Sequence, residues 1–105
     1  MHPPKDKLDE LVRRVVDASH PLRIVLFGSA ARGEMTADSD LDVLVVVPDG
    51  THRRRTAMVL YDRLSGFGVP VEFVVATVGD LDRYSGVPGL VYGAAVANGR
   101  ELYAA

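Results

Sequence analysis

Three apolar runs constrain this chain more than anything else in it. Residues 22–27, Leu41–Val47 and Val69–Ala76 are apolar almost throughout, with no alternation of polar and apolar positions. A strand of that character needs cover on both faces, because a half-exposed strand turns polar at every second residue. The intervening segments supply that cover. Leu8, Leu11, Val12, Val15 and Val16 recur at helical spacing, which predicts an amphipathic helix with Lys7, Glu10, Arg13, Arg14 and Asp17 toward water. Ser19-His20-Pro21 ends it, since proline disfavours helical geometry in the residue before it. Ser29 to Arg32 predicts a short helix with Ser29 at its cap or in its first turn, and Gly33–Ser39 a polar loop. Past the turn Pro48-Asp49-Gly50, Thr51 is the expected N-cap of a helix with Ala57, Leu60, Tyr61 and Leu64 inward, ended by Gly66 or Gly68. A capped turn at Val78–Asp82, a short helix over Leu90–Ala97 closed by Asn98-Gly99, and an edge strand at Arg100–Tyr103 complete the chain. The expected fold class is α/β, a small mixed β-sheet with helices packed on it, in a single domain over residues 1–105. Strand order and direction are left open by these patterns.

Composition excludes several function classes. A net charge of −2 over 105 residues gives no general attraction to nucleic acid or anionic lipid, so direct nucleic-acid binding is not expected. Without cysteine there is neither disulfide nor thiolate chemistry. No apolar run approaches the ~18 residues of a spanning helix, and a cytoplasmic location is expected. The polar, proline-containing lead-in Met1–Asp6 is expected to fray. His2, His20 and His52 lack metal-ligand spacing, which argues against zinc. His52-Arg53-Arg54-Arg55 is the one basic run; it reads as a solvated helix face, with contact to RNA or nucleotide phosphates as the alternative.

The chemistry-bearing residues cluster around the second apolar run. Asp40 and Asp42 lie two apart where that strand begins, so their side chains share a face. Burying two such carboxylates costs several kcal/mol unless a cation or donors compensate, and Mg²⁺, a hard cation taking oxygen ligands, is the natural partner. The plainer alternative is that Asp40 caps a turn and Asp42 pairs with Arg32 or another arginine. Glu72 is the only charged residue of the third run. If the second and third strands are neighbours, it completes a carboxylate triad able to hold two metals about 3.5–4 Å apart. If the third strand is an edge, Glu72 simply faces water. Gly28-Ser29 follows the first strand, where a glycine admits close backbone approach to a ligand and helix-start amides attract anions. The spacing of Gly28 and Gly33 also fits a P-loop, but Glu34-Met35 stand where that motif requires Lys and Ser or Thr. Plain turn punctuation also accounts for both glycines.

Gly28-Ser29, Arg32-Gly33 and Ser39-Asp40-Leu41-Asp42, in this order between two apolar strands, resemble the signature of the polymerase-β-like nucleotidyltransferase superfamily. In size the chain is similar to its minimal nucleotidyltransferases, and Val71-Glu72-Phe73-Val74 falls where the family's third acid sits, a position at which many relatives carry aspartate. The resemblance implies Mg²⁺-dependent transfer of a nucleoside monophosphate from a nucleoside triphosphate, AMP from ATP above others, to an acceptor hydroxyl. It further implies that Gly28 and Ser29 hold the β- and γ-phosphates, that Arg32 touches phosphate or braces the loop with Gly33, and that Asp40 and Asp42 bind the metal. Glu72 would ligate the catalytic metal or help deprotonate the acceptor, with Ser39 orienting the aspartates. Larger relatives carry a helical acceptor-binding domain for which this chain has no room. Minimal nucleotidyltransferases resemble the antitoxins of toxin–antitoxin pairs, which implies a partner, an HEPN-domain ribonuclease toxin with a tyrosine hydroxyl as acceptor. Tyr84, Val87, Leu90, Val91 and Tyr92 are the candidate docking surface. The alternatives are an antitoxin that acts by binding alone, and a small-molecule, antibiotic-type transferase completed by a second subunit.

Overall fold

A computed structural model describes all 105 residues. Its elements are α1 (Lys5–Ser19), β1 (Arg23–Phe27), α2 (Gly28–Ala31), β2 (Leu41–Val47), α3 (Arg53–Arg63), β3 (Val71–Thr77), α4 (Val78–Tyr84), α5 (Val91–Asn98) and β4 (Arg100–Ala104). The sheet runs β3-β2-β1-β4. β1 is antiparallel to both its neighbours, whereas β2 and β3 are parallel and joined through α3. The expected mixed α/β sheet is therefore present, and no helix is long and apolar enough to cross a membrane.

The unbroken apolar character of the central strands follows from burial on both faces. Leu41, Val43, Val45 and Val47 of β2 and Ile24 and Leu26 of β1 join Leu8, Leu11 and Val15 of α1 and Leu60 of α3 in the main core. The alternate residues Val25, Leu44 and Val46 form a smaller core with Ala76 and with Ala95 of α5. β3 departs from the expected two-sided cover because it is an edge strand; of its seven residues only Phe73 and Ala76 are buried. Its open edge is partly closed by Tyr61, whose hydroxyl accepts a hydrogen bond from the Phe73 amide at 2.9 Å.

Local signals moved a few boundaries. Thr51 is not the N-cap of α3: its amide closes the preceding turn on the Pro48 carbonyl, and His52 caps the helix with Nδ1 accepting from the Arg55 amide at 3.1 Å. Ser29 lies in the first turn of α2, because Phe27 holds the extended cap position. β3 starts at Val71, two residues later than the apolar run suggested. Pro70 has no amide to donate, but its carbonyl accepts from Leu41. α4 extends through Tyr84, with Thr77 and Asp80 forming a reciprocal capping box at its start.

Candidate functional site

The antiparallel pairing of β1 and β2 puts their whole connection, residues 28–40, at one end of the sheet. The register there is decisive: Phe27 pairs with Asp42, and Asp42 pairs with Glu72. The sheet thus brings Asp42 and Glu72 side by side, and Gly28 is set against Asp42. Asp42 shares a sheet face with Leu44 and Val46, since side chains two apart point the same way.

Gly28 is required here twice over. Its φ of +70° is a left-handed conformation that L side chains avoid, and a Cβ on it would lie 2.3 Å from Asp42 Oδ2. β1 is therefore followed directly by a residue that leaves the Asp42 carboxylate room to sit against the backbone.

Asp42 is half-buried, and its pKa is raised, first by that burial, then by the charges of Glu72 and Asp40; Arg32 opposes the shift. Asp40 and Glu72 are both exposed. None of these three carboxylates enters an ion pair. The expected alternative of an Asp42–Arg32 bridge is not formed, because the Arg32 guanidinium donates instead to Glu34 Oε2 at 3.0 Å. For Glu72 the two sequence readings combine: it is on an edge strand facing water, and it is also Asp42's cross-strand neighbour.

No three acids or histidines are drawn together into a cluster that would hold a metal as it stands. The donor type still fits a hard divalent cation, since three mutually repelling carboxylates lack a paired countercharge and all offer oxygen. Asp40, Asp42 and Glu72 are the residues that would hold it.

The remaining site residues shape the loop. Ser29 is half-buried at the start of α2, and its carbonyl accepts from the Glu34 amide at 2.9 Å. Gly33, at φ +73°, turns the chain behind it. Ser39 does not reach the aspartates; its hydroxyl accepts from the Thr36 amide at 2.9 Å and lies 3.1 Å from the Thr36 hydroxyl. The lead-in missed by sequence reasoning is part of this neighbourhood as well. Instead of fraying, Met1 and His2 lie on the Gly33 turn, and Pro3 is buried. No composition signal marks that contact.

Two other features lie at the far end of the sheet. The largest cleft, about 520 Å³, opens beside Leu22, Arg23 and Val46 and is bounded by Val78, Leu81 and Val96. The basic run also starts α3 at that end: Arg53 pairs with buried Asp80 at 2.8 Å, while Arg54 and Arg55 are exposed. Tyr84, Val87, Leu90 and Val91 are likewise exposed, with Tyr84 stacked on Tyr92.

Comparisons with known proteins agree with this fold. Three crystal structures share the fold. A protein assigned as a nucleotidyltransferase from Sulfolobus solfataricus is 23% identical, with a TM-score of 0.59 over 94% of this chain and 78% of its own. A toxin–antitoxin with AMP-PNP is 22% identical, with a TM-score of 0.61 over 98% of this chain and 75% of its own. A mutant of the toxin–antitoxin MntA-HpeT is 19% identical, with a TM-score of 0.60 over the same shares. No curated protein matches the sequence. Residues 8–90, which include every candidate site residue, match the nucleotidyltransferase domain family, and the chain belongs to that family.

Proposed function

We propose that this chain is a Mg²⁺-dependent nucleotidyltransferase that moves AMP from ATP to a hydroxyl, and that it serves as the antitoxin of a pair. In this reading the partner is an HEPN-domain ribonuclease toxin in the same cytoplasm, and the acceptor is one of its tyrosines. The observation that carries the proposal is the seat of Asp42, pressed against Gly28 and flanked by Glu72 and Asp40 with no ion pair to neutralise them. Two of the structures that share the fold are toxin–antitoxin assemblies, one of them with AMP-PNP, which supports both partner and nucleotide.

The acceptor oxygen attacks the α-phosphorus, the bond from that phosphorus to the bridging oxygen breaks, and pyrophosphate leaves. Bound Mg²⁺ supplies neutralisation of the triphosphate and a lowered pKa for the attacking hydroxyl. Gly28 lets the backbone approach the phosphates, and Ser29 presents its hydroxyl to them. Arg32 is tied only to Glu34 at the surface, a contact worth about 0–1 kcal/mol, which a phosphate readily replaces. Glu72, open to solvent beside Asp42, would complete the metal site or take the hydroxyl proton.

The test is incubation with α-labelled ATP, Mg²⁺ and the cognate toxin. Label passes to the toxin with the wild type and not with Asp42→Asn. A second reading, neutralisation by binding alone, is favoured by the acids' not being gathered into a ready metal cluster. It prevails if the wild type transfers no label yet suppresses the toxin.

A further inference from the structure

The loop after α2 is held from a direction the sequence does not announce. The nitrogen of Met1 donates to the Gly33 carbonyl, and the Met35 amide donates to the Met1 carbonyl at 3.2 Å. Together these bonds pair Met1 with the loop in the manner of a parallel β-bridge. The His2 imidazole covers the turn itself: a Cβ on Gly33 would lie 2.6 Å from both its Cε1 and its Nε2. Pro3 is buried and Met35 packs against the main core, which fixes both sides of the contact. The path continues into the site, because the Glu34 amide donates to the Ser29 carbonyl and Glu34 also holds Arg32.

We propose that Met1 and His2 form a positioning strap for the nucleotide-binding loop, with His2 the residue that seats Gly33 and, through Glu34, sets Ser29 and Arg32. The proposal rests on the reading of Gly28–Gly33 as the stretch that binds nucleotide. Its physical basis is that Gly33, in a left-handed conformation and without a side chain of its own, explores other backbone states once its cover is removed. Apparent affinity then falls in proportion to the fraction of molecules with the loop in place. His2 lies on the Gly33 turn and forms no ion pair with Asp40, Asp42 or Glu72, so the loss belongs to nucleotide binding and not to the chemical step.

The experiment compares the wild type with His2→Ala and with His2→Phe, which keeps a ring against Gly33. His2→Ala is expected to raise KM for ATP roughly tenfold with kcat and melting temperature unchanged, and His2→Phe to restore KM. Equal KM in wild type and His2→Ala, or a parallel fall in kcat and melting temperature, overturns the proposal. Amide hydrogen exchange reads the strap without reference to catalysis. Glu34 and Met35 are expected to exchange roughly tenfold faster in His2→Ala while α1 amides are unchanged, and equal exchange overturns the strap even in an active enzyme. A wild type that neither binds nor transfers nucleotide refutes the proposed function, and the exchange result then decides the strap alone.

Discussion

Alanine at Gly28 perturbs the site at its tightest internal contact, and the structure separates two costs. The first is backbone strain: holding an L side chain at φ +70° costs about 1–2 kcal/mol. In a domain of this size each kcal/mol lowers the melting temperature by about 4–8 °C. The second is displacement. The new Cβ would lie 2.3 Å from Asp42 Oδ2, whereas ordinary contact begins near 3.4 Å, so the carboxylate moves by about 1 Å. The Asp42 Cγ and Cβ stay at 3.3 and 3.5 Å, so the side chain rotates while the strand keeps its place. A misplacement of about 1 Å at a reacting centre is worth about 10²-fold in rate. Gly66 provides the control, because it has φ +76° with nothing within 4 Å of its Cβ position. Urea unfolding should show similar stability losses for Gly28→Ala and Gly66→Ala, while label transfer falls about a hundredfold in Gly28→Ala alone. Wild-type transfer by a folded Gly28→Ala would refute the claim that this glycine exists to seat Asp42.

Three further outcomes follow from charge and backbone. Asp80 is 6% exposed and accepts from the Thr77 amide and from Arg53, and its pKa is depressed chiefly by the Thr77 bond. Its stabilisation is present above the ordinary value of 3.8 and is lost as pH falls through the depressed folded value; Asp80→Asn should cost about 1–3 kcal/mol at neutral pH and flatten that acid limb in denaturant titrations. Asp42 has the opposite sign. Its raised folded pKa means stability falls as pH rises from 3.8 through the raised value, so without divalent cation Asp42→Asn should be more stable than wild type at neutral pH, by an amount that solvent screening keeps small, and a less stable variant would contradict the repulsion. His20 ends α1 at φ +46°, so His20→Gly should stabilise by about 1 kcal/mol in urea unfolding, and a loss would show that the imidazole contributes more than the strain removes.

How much of this was legible in the sequence depended on the range of the interaction. Local patterns located the two central strands, the amphipathic α1 and the glycine turn, because burial on both faces and a 3.6-residue period leave direct marks in composition. Asp42 stood out for the same reason, as a charge inside an apolar run. The pairing of Asp42 with Glu72 was only conditional, since it depends on β2 and β3 being parallel neighbours, a fact set by packing and not by either strand's residues. The apolar β3 run masked its edge position, because Tyr61 and α3 cover what a bare edge would expose. His52 took the cap from Thr51 through a side-chain geometry that propensity does not encode. The docking of Met1 and His2 on Gly33 left no trace at all, because it is a contact between segments far apart in the chain that carry no periodic signal.

On the proposed function, Asp40, Asp42 and Glu72 are the carboxylates without ion pairs that would hold the cation that carries the nucleotide. The most direct test of that role is the melting temperature of the wild type and of Asp42→Asn as Mg²⁺ is added in the presence of a non-hydrolysable ATP analogue. A ligand that binds only the folded state stabilises it by about 2.7 kcal/mol at a hundred times its Kd. The wild type, less stable than Asp42→Asn without metal, is expected to rise with Mg²⁺ and overtake the variant, which stays flat. Parallel curves for the two proteins, or no response of the wild type to Mg²⁺ and nucleotide together, would contradict it.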